Sequence, residues 1–252
     1  MTPSRVIAYV GGIYTLIVGG VMTILSLSSL LAYNCHFNDA FTQSRSGYMF
    51  YLIYFRSHHC PSFVDWNIVA QNFSDVGVLP QMPHEIEPVS RTFWISVIQL
   101  VVNCLMVLFS TVMLVSTSRA WILKTRKLSY YTFFVPLCLV FFATSLLDMG
   151  IGVMYSMDLF RSKSVDGTMT LLEISNRLES RPVIEQINFD DRTLPPNVML
   201  YVSLKGVAGL IINMCLLFFI TLAGWEVVDG SKRKIAMKFV TEKKNDEPST
   251  DL

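Results

Sequence analysis

Polar residues are nearly absent from four long stretches, roughly 6–33, 92–117, 130–157 and 198–225, and crowd into the segments between them. Each stretch exceeds the ~20 residues a helix needs to cross about 30 Å of hydrocarbon. In lipid every backbone N–H and C=O must be satisfied within its own segment, so the runs are predicted to be helices. The expected fold is therefore all-α and membrane-embedded, a four-helix transmembrane bundle with two folded extracellular loops. Residues 1–5 form a short N-terminus, 34–91 and 158–197 the two long loops, 118–129 a short connection, and 226–252 a polar tail. A cleaved secretory signal is the alternative for the first run, which begins directly after Arg5. That run is longer than a 7–15-residue signal core, and no A-x-A-like cleavage site follows it.

Composition sharpens this picture. The 252 residues are 52% hydrophobic and 15% charged, against about 25% charge in a soluble domain. Charge also sets the orientation. Arg119, Lys124, Arg126 and Lys127 follow the second run without an acid, and Lys232, Arg233 and Lys234 follow the fourth. Segment 34–91 instead carries three basic and five acidic residues, and 158–197 five and seven. Basic segments face the cytosol, so both ends are expected inside and both long loops outside. The one N-x-[ST] sequon, at Asn72, falls in the first outer loop and marks a glycosylation site there. Trp94, Trp121, Trp225, Tyr33, Tyr130, Tyr131 and Tyr155 fall at predicted membrane–water boundaries. The net charge of +1 says nothing about nucleic acid, because the basic residues sit in short cytosolic clusters; no nucleic-acid motif occurs, and no nucleic-acid partner is expected.

Of five cysteines, Cys104, Cys138 and Cys215 lie within runs, leaving Cys35 and Cys60 in an outer loop. An oxidising compartment would pair them, closing about 25 residues for roughly 3 kcal/mol; two free thiols are the alternative. Between them, Tyr48–Phe55 is an unbroken apolar octet, too short to span, whose aromatic and branched content favours a short β-strand. Left uncovered, that strand would be adhesive; packing within the loop is the preferred reading. All four histidines, His36, His58, His59 and His84, share this loop, but no spacing matches a metal site, and solvated or hydrogen-bonded histidines are expected. In the second loop, Leu171, Leu172, Ile174 and Leu178 suggest one face of a short helix ended by Pro182, followed by a strand over Val183–Phe189.

Ionisable groups inside a membrane are costly and mark function or pairing. Asp148 and Lys205 each lie eight or nine residues in from the outer ends of their runs, roughly 12–13 Å deep, with Gln99 slightly shallower. Three readings stand open: a structural ion pair, separate snorkelling to the interface, or part of an ion route. Gly11, Gly12, Gly19 and Gly20 place small residues on one face of the first run, for packing within the bundle or against a second copy. Asn103 and Asn213 are placed to bridge the second and fourth runs.

The chain ends Ser249-Thr250-Asp251-Leu252. Thr250 two before the end, a terminal aliphatic Leu252 and a free carboxylate form the pattern that class I PDZ domains take as an added strand, with Asp251 between; a plain solvated tail is the alternative.

Four runs, cytosolic ends, a longer first outer loop with a paired Cys35 and Cys60, and a PDZ-type ending resemble the claudin-like tetraspan membrane proteins. These include junction proteins of vertebrate tight and insect septate junctions, and auxiliary channel subunits. The likeness covers the whole chain in layout. The family's Gly-Leu-Trp is lacking, Trp66 follows both cysteines, and the second loop is longer.

The resulting expectation is a non-enzymatic, multi-pass plasma-membrane glycoprotein of the cell surface or cell junction. It would be tied to a PDZ scaffold and would meet a membrane-protein partner, or a second copy, through loops or spans. An auxiliary subunit of a channel or receptor, or a small transporter using Asp148 and Lys205, is the alternative. No intramembrane His–Glu cluster, Cys-x-x-Cys or nucleophile elbow suggests an enzyme, and no cofactor is implied.

Overall fold

A computed structural model describes residues 3–36, 45–57, 86–123, 128–205, 209, 211–216 and 218. Among the described residues seven helices follow one another: α1 (Pro3–Tyr33), α2 (Arg45–Tyr54), α3 (Glu87–Leu123), α4 (Leu128–Ser162), α5 (Val165–Leu171), α6 (Arg177–Glu185) and α7 (Phe189–Ser203). Residues 211–216 are helical again. Three helical stretches are long and apolar enough to cross a membrane: Tyr9–Tyr33, Glu87–Val115 and Val135–Ser162. These mark a membrane protein. The fourth expected span is described only in part, and its helix breaks at Leu204–Lys205.

In the bundle α1 packs on α3, α3 on α4 and α4 on α7. Each helix turns inward a stripe spaced by threes and fours, the seam of left-handed packing. On α1 it runs through Gly12, Thr15, Gly19, Met22, Ser26 and Tyr33; on α3 through Thr92, Ser96, Asn103, Met106, Ser110 and Met113. On α4 it runs through Leu137, Phe141, Ser145, Asp148, Ile151, Tyr155, Asp158 and Ser162. Small and polar residues dominate because lipid offers no hydrophobic drive between helices, so close approach and hydrogen bonds hold them together. Thr15 and Ser110 share a hydrogen bond of 2.8 Å, Ser29 and Ser96 one of 2.7 Å. Bulky apolar residues such as Ile17, Ile24, Leu139 and Val153 point outward, as a lipid-facing surface requires.

Of the glycine pairs, Gly12 and Gly19 face α3, where an added Cβ would come within 3.0 Å of Leu114 and Met106. Gly20 meets open space. The tightest approach in the spans is Gly152 of α4, whose added Cβ would lie 2.6 Å from Leu204 Cδ2 at the end of α7. Gly152→Val should therefore cost about 1–3 kcal/mol by overpacking. Gly150→Val, two residues away where nothing lies within 4 Å, should leave the melting temperature in detergent nearly unchanged.

At one end of the bundle α2, α5 and α6 form a cap. Its core joins Tyr48, Leu52, Ile53 and Tyr54 of α2 with Ile86 and Val89 of α3, Ile151 and Tyr155 of α4, and Leu172, Ile174, Ile184 and Ile187 of the second loop. Here two expectations are corrected. Tyr48–Phe55 is not a strand: the chain is helical from Arg45 to Tyr54, and every residue of the octet but the half-buried Phe50 is buried. A strand there would need a partner for its N–H and C=O groups, and no strand occurs among the described residues; a helix satisfies its own backbone. Val183–Phe189 is not a strand either. Pro182 lies inside α6, which continues to Glu185, and α7 starts at Phe189 with Pro195 and Pro196 within it.

The expected single face Leu171–Leu178 is also split. Glu173 has φ 51°, ending the helical path after α5, so Leu171, Leu172 and Ile174 are buried while Leu178 is 90% exposed. Ser164 caps α5 by accepting from the Gly167 N–H at 3.0 Å. Glu173 Oε1 accepts from the Glu87 N–H at 2.8 Å, and Ser46 donates to Asp191 Oδ1 at 2.6 Å, so side chains tie each loop to the start of a long helix.

Candidate functional site

Two charged clusters lie inside the bundle. The deeper joins Asp148 of α4 and Lys205, whose Nζ pairs with Asp148 Oδ2; the side chains are 3% and 6% exposed. Lys205 follows the last turn of α7 with φ 54°, a left-handed conformation rare outside glycine, and its N–H is taken by Val202 O at 3.0 Å. The chain thus leaves the helix at the residue that carries the charge. Unwound backbone at membrane depth is tolerated where protein covers it, and such breaks are where transporters place their binding groups.

Gln99 is not drawn into that pair. It lines a cavity of about 270 Å³ that lies between α1 and α7, and its backbone oxygen accepts from Asn103 Nδ2 at 2.7 Å. Asn103 and Asn213 are both buried, yet neither side-chain oxygen has a partner among the described residues, so they form no bridge.

The second cluster was missed by sequence reasoning. Arg91 of α3 pairs with Asp158 of α4, which also accepts from the Tyr54 hydroxyl of α2 at 3.3 Å. Thr92 and Tyr155 hydroxyls lie 3.4 Å apart beside it, and Tyr54 meets Tyr155 edge-on at 5.5 Å. Asp158 is fully buried. The signal was present: Arg91 and Asp158 each fall one residue outside consecutive antiparallel runs, hence at one level. Read as loop residues, they were not weighed as partners.

Burial pushes the Tyr54 phenol well above the usual tyrosine range, with Asp158 and Tyr155 adding to the shift and Arg91 opposing it. The folded state thus holds this proton more tightly than the unfolded one, so the stabilisation is intact below pH ~10 and falls as pH rises beyond it. Thermal unfolding followed from pH 9 upward should steepen in the wild type, and Tyr54→Phe should remove that extra slope.

Arg192, on the first turn of α7, is 8% exposed, and neither its Nε nor its Nη1 has a partner among the described residues. Burial lowers its pKa from the usual arginine value.

His36 Nδ1–H donates to Asn34 O at 3.0 Å, and no cluster of metal-ligating side chains occurs among the described residues. Cys104, Cys138 and Cys215 are free thiols. Cys60, Asn72, His58, His59, His84 and the terminal Thr250, Asp251 and Leu252 lie outside the described residues. No protein-family model, curated protein or solved structure matches the chain.

Proposed function

We propose that the chain is a non-enzymatic four-pass protein of the plasma membrane that presents a rigid helical cap outside the cell and is anchored to a PDZ scaffold inside it. One observation carries this reading: the described part of the first long loop, 45–57, shares a single core with the second long loop and the ends of the spans, so the cap presents a preformed packed surface. On its outside α6 offers Leu178 to a partner in the same or the opposing membrane. The orientation rests on the basic clusters near residues 119–127 and 232–234. Two further parts of the reading are a sugar at Asn72 and a bridge from Cys35 to Cys60, the one cysteine left once the three free thiols are set aside. Leu252 would fill the apolar PDZ pocket, with Thr250 hydrogen-bonded in the groove. Removal of 250–252 should disperse the protein from cell contacts without lowering its surface level; retention at contacts would sink the anchoring claim.

A second reading is favoured by the break at Lys205. A small transporter would use Asp148 and Lys205 as its binding groups, with the unwound segment as a hinge. Flux in reconstituted vesicles that vanishes in the Asp148→Asn, Lys205→Gln double variant, with folding intact, would select it.

A further inference from the structure

The cavity between α1 and α7 points to a bound molecule. Its walls are Met22, Leu25 and Ser29 of α1, Ser96 of α3, and Met199 and Val202 of α7, and it is roofed by Phe50 and Phe55 at the α2 end. The volume of about 270 Å³ is just under the range of drug-sized sites, and the lining is mostly apolar. Ile95 and Gln99 of α3 and Tyr155 of α4 also line it, so the cavity is bordered by all four helices of the bundle. Met199 lies six residues before Lys205, about 9 Å nearer the capped end, so the cavity occupies the slab between the ion pair and the membrane boundary.

Arg192 supplies the second observation. It stands on the same stripe of α7 as Met199 and Ser203, seven and eleven residues before them, hence about 10 Å above Met199 along the axis. Thirteen residues, or about 20 Å, separate it from Lys205; fourteen separate Asp148 from Ser162, where the α4 span ends. The two counts put Arg192 level with Ser162, the end of the α4 span. There a buried guanidinium has two N–H-bearing nitrogens without partners among the described residues, although a buried charge is ordinarily paired. A phosphate oxygen is the complement a guanidinium fork binds best.

We propose that the cleft holds one acyl chain of an acidic glycerophospholipid from the adjoining leaflet, with its phosphate at Arg192. An acyl tail matches the apolar lining, and a span of about 10 Å suits a chain in the cavity joined through glycerol to a headgroup at Arg192. The proposal does not depend on the junction reading or on the transport reading.

The test is native mass spectrometry of the full chain extracted from vesicles of equal phosphatidylglycerol and phosphatidylcholine. One retained phosphatidylglycerol is expected per chain. Met199→Trp and Ile95→Trp fill the cavity from opposite walls, and each should cut the retained fraction at least tenfold. Arg192→Gln should equalise the two lipids. Should one variant fail to fold, the remaining two still decide the matter. No retained lipid in the wild type, retention unchanged by the filling variants, or a preference unchanged by Arg192→Gln would each overturn the proposal.

Discussion

Asp148→Asn should lower stability by about 3–5 kcal/mol, because it leaves the Lys205 ammonium buried without a counter-ion. For a chain of this size the melting temperature in detergent should fall by roughly 10 °C. Lys205 has little room to escape. Its side chain is 6% exposed, and its backbone is fixed at the break by the N–H bond to Val202. Adding Lys205→Gln should restore most of the loss, since two neutral amide groups remain and no charge is stranded. A double-mutant cycle should therefore return a coupling well above the ~0.6 kcal/mol average of interhelical hydrogen bonds in membranes. A single variant as stable as the wild type would show that Lys205 reaches the interface instead, the snorkelling alternative.

The second large effect is expected at Asp158. This carboxylate is the common partner of Arg91 on α3 and Tyr54 on α2, so Asp158→Ala leaves a mostly buried cation with only its 3.8 Å pairing to the exposed Glu87 and deprives a buried hydroxyl of its acceptor. A loss of about 3 kcal/mol follows. Its location differs from that at Asp148. Hydrogen exchange should speed up in α2, while the α1–α3 contact around Thr15 and Ser110 keeps its protection. Tyr54→Phe removes only the 3.3 Å hydrogen bond and should cost about 1 kcal/mol. Equal acceleration throughout the bundle on Asp158→Ala would mean that the cluster holds the spans rather than the cap.

The sequence legibly carried the long helices because hydrocarbon leaves no alternative to self-satisfied backbone, and a run of apolar residues records that directly. The matching depth of Asp148 and Lys205 was also readable, since depth is a count along each run. Three features were not. Tyr48–Phe55 is apolar at every position, so no period distinguishes helix from strand; the packing that surrounds it does. Pro182 reads locally as a stop, yet α6 runs through it, with Pro182 on the exposed face between the buried Ser180 and Val183. Leu178 follows the apolar period of its neighbours but faces away, because Glu173 turns the chain in between.

What the chain determined alone was its solvent and the level of each residue across it, both one-dimensional quantities set by local composition. What the tertiary structure decided was which residues at one level meet. It joined Arg91 to Asp158 and Tyr54, left Gln99 outside the Asp148–Lys205 pair, and opened a cavity between α1 and α7. The physical reason is rotational. Depth fixes a position along a helix axis, while partnership depends on the angle about that axis and on which helices adjoin, and only packing sets those.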